Sequence, residues 1–241
     1  MKVIHCKNYD EMSAAAAKVI ADAIKAKPDL VLGLATGSTP EGMYAELVKE
    51  YKAGNLDFSR ITTVNLDEYC GLPADHDQSY RYFMQKNLFD HVNVDPARTF
   101  LPVGDTADHA AEAARYEKFV AELGYADVQV LGVGGNGHIG FNEPSDAIIA
   151  DTHVTDLKPE TIKANSRFFA SENDVPKQAL TMGVGTIMNA GHLILMASGA
   201  VKKEAIRALL CGDTVSTNCP VTLLKLHQNV TVICDDEAWP C

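Results

Sequence analysis

Asp127-Val128-Gln129-Val130-Leu131-Gly132-Val133 runs straight into Gly134-Gly135-Asn136-Gly137-His138-Ile139-Gly140-Phe141-Asn142-Glu143-Pro144. The first part is the kind of short apolar run that fills a strand covered on both faces. The second is a glycine-dense loop carrying an imidazole and a carboxylate. Glycines at this density let backbone approach a ligand closely. In sheets of alternating strands and helices, ligands bind outside the carboxyl ends of the strands. The junction therefore predicts an α/β fold with a site at its strand edge. Gly132, Gly134 and Gly137 also match G-x-G-x-x-G, and Asp156 lies near the distance of a ribose-binding acid, about 20 residues on. That motif requires a helix opening at once, and Asn142-Glu143-Pro144 interrupts one. A dinucleotide site is therefore not the expectation.

Working outward, apolar runs alternate with helical patterns. Leu30 to Ala35, Ile61 to Leu66, Asp127 to Val133, Ala179 to Val184, His192 to Ala197 and Val230 to Cys234 read as buried strands. Met1 to His5 opens another. Asp10 to Lys25, Pro40 to Lys52, Ser79 to Leu88, Asp108 to Leu123 and Lys202 to Leu210 read as helices. This alternation predicts a doubly wound, mostly parallel sheet with right-handed crossovers, a modified Rossmann-like α/β fold. No repeat or linker divides residues 1–241, so one domain is expected. Asp146 to Asn173 is the least regular stretch and is expected to be an irregular connection or a mobile flap.

Composition narrows the function classes. The chain has 241 residues, 46% of them hydrophobic, and a formal net charge of −11. So acidic a chain is a poor fit to sequence-independent nucleic-acid binding, which depends on neutralising phosphates. No apolar run reaches the ~20 residues of a membrane span. The N-terminus reads as a strand rather than a signal peptide. Cysteines at 6, 70, 211, 219, 234 and 241 form no C-x-x-C pair. Neither a zinc site nor a disulfide framework is suggested, and reduced thiols in a cytoplasmic protein are expected. Neither metal nor cofactor is expected.

Four constellations carry chemistry. Gly33-Leu34-Ala35-Thr36-Gly37-Ser38-Thr39-Pro40 ends a strand, with Pro40 suited to the first helical position and Thr39 to the N-cap. Such a helix start is either a simple capped turn or an anion site. Asn65-Leu66-Asp67-Glu68-Tyr69 places two carboxylates after a strand, as helix-capping acids or as a proton-transferring base. His138 and Glu143 pair an imidazole with a carboxylate that would orient it and keep it basic. The alternative is a core histidine bonded to backbone. Arg167, among aromatics, and Lys202-Lys203, at a strand-to-helix turn, are cations of the kinds that hold phosphate. Surface ion pairs would explain them equally.

Together these segments resemble the glucosamine-6-phosphate deaminase (glucosamine/galactosamine-6-phosphate isomerase) family. The matching pieces are Gly33 to Pro40, Asn65 to Tyr69 with Gly71-Leu72, Leu131 to Pro144, Ala164 to Phe169 and Ser198 to Lys202. The resemblance implies conversion of glucosamine 6-phosphate and water to fructose 6-phosphate and ammonia, a step of amino-sugar catabolism. It labels the enzyme a hydrolase with aldose–ketose isomerase chemistry. It also implies roles. Asp67 matches the base that moves the carbon-2 proton to carbon 1, His138 the group that opens the pyranose ring, and Glu143 its carboxylate partner. Asn136 falls where some members carry aspartate and is expected to accept a bond that fixes the His138 tautomer. Gly37, Ser38, Thr39, Arg167 and Lys202 match the phosphate pocket, with Lys203 adjacent. The short tail after Val230 to Cys234 suggests an unregulated enzyme and a monomer. The partner expected is a small sugar phosphate, not nucleic acid or a membrane. The rival readings are a 6-phosphogluconolactonase of the same fold and a sugar-phosphate sensor without turnover.

Overall fold

A computed structural model describes residues 1–166, 169, 171 and 174–240, with only the backbone of Glu160, Ala164 and Asn165. In chain order it contains β1 (Lys2–His5), α1 (Tyr9–Ala26), β2 (Val31–Leu34), α2 (Ser38–Lys52), β3 (Thr62–Asn65), β4 (Asp67–Tyr69) and α3 (Tyr80–Asn87). Then come β5 (Thr99–Phe100), α4 (His109–Glu122), β6 (Val128–Leu131), β7 (His153–Asp156) and α5 (Pro159–Asn165). The chain closes with β8 (Gln178–Thr181), α6 (Val184–Met188), β9 (Leu193–Ala197), α7 (Lys203–Leu210) and β10 (Val230–Cys234).

Seven strands form a parallel sheet in the order β1-β10-β9-β6-β2-β3-β5. Its central strands are buried along their whole length, because helices cover both faces. Leu32, Leu34, Val64, Val130 and Leu195 meet Ile20, Met43 and Leu47 in the main core. The chain must carry glycine at Gly33 in the middle of β2. A Cβ there would lie 2.0 Å from Oε1 of Gln129, a buried amide on neighbouring β6.

Local chemistry sets the helix starts. Asn8, Ser79 and Asp108 accept backbone N–H groups at the beginnings of α1, α3 and α4. Helix α2 departs from the sequence expectation. It begins at Ser38 with Gly37 as N-cap and no capping side chain, so Thr39 lies inside the first turn. Gly37 reaches φ 91°, a conformation that favours glycine, and having no side chain it leaves the first N–H groups of α2 without a cap.

The run at Ala179 to Val184 is a strand, but not in the main sheet. Strand β8 pairs antiparallel with both β4 and β7 in a small three-stranded sheet. An apolar run reports burial and leaves open which neighbour covers it. Tyr69, Phe141, Leu157 and Ala179 form a second core, joined by Tyr80, Ile162 and Phe169. Leu66 ties the two sheets together. Its N–H donates to Leu34 O (3.2 Å), and its carbonyl accepts from Met182 N (2.7 Å). The region Asp146 to Asn173, expected to be irregular, carries β7 and α5 among its described residues. The expected flap overlaps residues 167, 168, 170, 172 and 173, which lie outside them.

Candidate active site

The strand order fixes where a site can form. From β2 the chain builds outward through β3 and β5 on one side, then returns to β6, which neighbours β2 on the other. Such a reversal opens a crevice at the carboxyl ends of the two strands. The loops after β2, β3, β6 and β9 all leave at that edge, and they carry the residues singled out from the sequence.

Two buried tyrosines pin the edge. Tyr44 donates to Ala35 O (2.6 Å), and Tyr116 donates to Asn65 O (2.8 Å). Beyond Asn65, Leu66 turns the chain into the small sheet, so Asp67 sits at the junction. Its register partner is Thr181. The Thr181 hydroxyl accepts from Phe141 N (3.1 Å), bringing the glycine-dense loop against Asp67. Gly140 lies between them. A Cβ there would be 2.9 Å from Thr181 Oγ1 and 3.7 Å from Asp67 Oδ2. Asp67 is only 7% exposed, and no described residue donates a hydrogen bond to its carboxylate. Burial, and then the charge of Glu68, push it up to about 8. The neighbouring Glu68 is fully engaged. It accepts from the backbone N–H of Tyr69 and from those of Tyr80 and Arg81 at the start of α3, each at 2.9 Å. Its role is to seat that helix.

The loop after β6 begins no helix, as the dinucleotide alternative would need. Gly134 N–H donates to His138 O (2.9 Å), folding the loop back on itself. The His138 ring covers Gly134 so closely that a Cβ would lie 2.2 to 2.5 Å from three ring atoms. Glu143 Oε2 is 3.4 Å from His138 Nδ1. That nitrogen makes no hydrogen bond with a described residue. Glu143 is otherwise tightly held. Asn136 Nδ2 donates to Oε2 (2.7 Å), and the Thr161 hydroxyl donates to Oε1 (2.5 Å). Burial disfavours the charge on Glu143. The adjacent His138 and the bonds from Thr161 and Asn136 outweigh that and hold the carboxyl at about 2. The Asn136 amide acts on a different atom from the one expected. Its oxygen accepts from the backbone N–H of His138 (3.1 Å), and its nitrogen serves Glu143. It fixes the loop and the carboxylate rather than the imidazole tautomer.

On the other side of the crevice, α2 presents the N–H groups of Ser38 and Thr39 with no capping side chain. A helix of 15 residues carries partial positive charge at such an end. Tyr9, which the sequence reading missed, braces this turn. Its hydroxyl donates to Ser38 O and accepts from Gly42 N, both at 2.8 Å. Tyr9, Ser38, Thr39 and Glu41 share a cleft with Ser198 from the end of β9. Asp235 holds that strand end, accepting from the Ser198 hydroxyl (2.5 Å) and from Gly199 N (3.2 Å). Lys202 follows one turn later, half-buried, and Lys203 begins α7. Val201 lies near enough to the other loop that a Cβ on Gly135 would meet it at 3.1 Å. Arg167 lies outside the described residues.

The structure thus gathers Asn136, His138 and Glu143 in direct contact and sets Asp67 against the same loop. It places Ser38 and Thr39 together in a second cleft. Thr161 and Asp235 were missed because they act across 18 and 37 residues of sequence on groups already noted. Among the described residues no group of three or more His, Cys, Asp or Glu side chains could hold a metal ion. No described helix is long and apolar enough to cross a membrane.

Comparison with known proteins places the chain in a family. The family model described as glucosamine-6-phosphate isomerases/6-phosphogluconolactonase matches residues 7–233. A glucosamine-6-phosphate deaminase of Clostridium perfringens is 51% identical over 99% of this chain and 98% of its own. Glucosamine-6-phosphate deaminase 1 of Bacillus subtilis is 50% identical over the same shares. A solved structure described as a monomeric glucosamine-6-phosphate deaminase superposes with a TM-score of 0.96 at 50% identity. It covers 99% of this chain and 98% of that one. A 6-phosphogluconolactonase from Trypanosoma cruzi shares the fold alone, with a TM-score of 0.78 at 23% identity and coverage of 98% and 95%.

Proposed function

The chain belongs to the glucosamine-6-phosphate isomerase/6-phosphogluconolactonase family, and from that membership and its site we propose that it is a glucosamine-6-phosphate deaminase. It converts glucosamine 6-phosphate and water to fructose 6-phosphate and ammonia. The carbon skeleton undergoes an aldose–ketose isomerisation, and water enters only to release the nitrogen. Isomerase–deaminase therefore describes the enzyme better than hydrolase. The observation that carries the proposal is a pair of acids in opposite states on either side of one loop segment, Asp67 in β4 and Glu143 after β6. Asp67 is buried with no hydrogen bond from a described residue and is pushed up to about 8, whereas Glu143 is held at about 2 beside His138.

In this reading the substrate phosphate docks on the N–H groups and hydroxyls of Ser38 and Thr39 beyond Gly37. Lys202 and Arg167 supply the charge. His138 takes the anomeric hydroxyl proton and returns it to the ring oxygen, opening the sugar. Glu143 stabilises the imidazolium formed on the way, and Asn136 holds Glu143 in place. Asp67 then removes the proton from carbon 2 of the open chain. In the free enzyme its burial favours the neutral acid; the positive charge of the bound substrate's ammonium favours the carboxylate, and Asp67 releases its proton to solvent on binding. Once protonated, its burial favours the neutral acid, so it holds the proton until it delivers it to carbon 1. The carbon-2 imine so formed adds water and expels ammonia, leaving the ketone. The reaction suits a cytoplasmic monomer that meets an already phosphorylated sugar.

Ammonia release coupled to fructose 6-phosphate formation by the purified protein is the test. Hydrolysis of 6-phosphogluconolactone with no ammonia from glucosamine 6-phosphate would reassign the activity. Binding of both sugar phosphates without turnover would make the protein a sensor.

A further inference from the structure

Helix α5 touches the loop bearing Glu143 at two points. Thr161, 8% exposed, donates to Glu143 Oε1, and Lys158 Nζ donates to the carbonyl of the next residue, Pro144 (2.6 Å). Pro159 starts the helix between these two anchors. The two oxygens of Glu143 are thereby divided: Oε1 belongs to α5, and Oε2 faces Asn136 and His138. A carboxylate fixed at only one oxygen can rotate about its last bond, whereas one fixed at both presents a single edge. We propose that Thr161 is a positioning residue, locking Glu143 so that Oε2 faces the His138 ring during ring opening. Lys158 keeps α5 in register with the loop so that the threonine reaches.

The inference rests on the proposed deaminase chemistry, and its chemical consequence is specific. Thr161 bonds Glu143 and makes no described hydrogen bond to Asp67, so its loss should impair ring opening and leave proton transfer at Asp67 intact. The acidity of Glu143 should also shift, because a donor to the charged form is lost.

Thr161→Val keeps the shape and removes the donor, and Thr161→Ser keeps the donor. For Thr161→Val, kcat on glucosamine 6-phosphate should fall about tenfold with KM within about twofold. The Glu143 carboxyl, followed by NMR titration, should rise by about one pH unit. Thr161→Ser should restore both. Exchange of the carbon-1 proton of open-chain fructose 6-phosphate with deuterated solvent, in the presence of ammonia, should stay near wild type in both variants. Unchanged kcat and titration in Thr161→Val would overturn the assignment, as would a serine variant equally impaired. Loss of exchange parallel to loss of turnover would show general damage to the site and also overturn it. If the wild-type protein releases no ammonia, the reading of the reaction fails. The Glu143 titration then still decides whether Thr161 holds that carboxylate.

Discussion

Asp67 and Glu143 are both buried carboxylic acids at the edge of the same crevice, yet one is pushed up to about 8 and the other held at about 2. Burial acts on both in the same direction. What differs is the company. Glu143 has His138, Asn136 and Thr161 around its oxygens, whereas no described residue donates to Asp67, and its nearest charged neighbour in the chain is Glu68. Desolvation without donors makes a proton carrier that is neutral at rest, and desolvation with donors makes a fixed negative charge. In the proposed reaction, one loop segment between the two residues thus separates the group that exchanges a proton from the one that does not.

The largest test of this contrast is Asp67→Asn. It keeps the shape and cannot accept a proton, so turnover should fall about 10²–10⁴-fold while sugar phosphate binding survives. His138→Gln should still exchange the carbon-1 proton of open-chain fructose 6-phosphate with solvent, and Asp67→Asn should not. Equal loss of exchange in both would merge the two roles.

The same asparagine should raise stability. Asp67 has a folded pKa well above its unfolded value of about 3.9, so between the two the native state holds a proton that the unfolded chain has lost. Wild-type stability therefore declines as pH rises from about 4 to about 8, the window set by the Asp67 value. Denaturant melts should show Asp67→Asn gaining about 2–4 kcal/mol over wild type at pH 8 relative to pH 4. A pH-independent difference would mean Asp67 is ionised in the free protein.

Glu143→Gln removes the fixed charge and should lower kcat about 10–100-fold, with less effect on KM. Its stability signature is opposite in sign. The folded pKa of Glu143 is depressed, so its contribution is present above the unfolded value of about 4.3 and fades as pH falls toward 2. The gap between wild type and variant should therefore close in acid. A gap that widens in acid would show the charge to be unfavourable in the fold.

The smallest expected effect is that of Gly140→Ala. Gly140 has φ 55°, and a methyl group would press on Thr181 Oγ1. A loss of about 1–2 kcal/mol should appear in thermal melts. Wild-type stability and activity in that variant would mean the loop is free to shift away from Asp67.

Much of this was legible from the chain. Continuous apolar runs located the strands of the main sheet to within a residue or two, except the edge strand β5, whose two residues, Thr99 and Phe100, are too short to make a run. The glycine-dense loop, Asp67 and the His138–Glu143 pair were visible because their residue types are conspicuous beside strand ends. The start of α2 was misjudged by two residues, since Thr39 and Pro40 fit the preferred cap and first turn while the helix begins at Ser38 after Gly37, with no side-chain cap. Strand β7 and helix α5 hid in a polar stretch too short for periodicity, although Pro159 at a first helical position was a usable sign. Thr161, Tyr9 and Asp235 carried no sign at all. A hydroxyl or carboxylate that serves a distant loop looks like any other until the chain is folded.

Leu66 holds the last lesson. Its two ties, to Leu34 and to Met182, run through its own amide and carbonyl. Truncating its side chain would cut a contact in the core but leave both bonds standing. An alanine scan, which samples side chains, would therefore score the joint between the sheets as ordinary packing. Only a change that edits the peptide itself, such as Leu66→Pro or an ester in place of the amide, would expose how firmly the base-bearing strand is bolted to the main sheet.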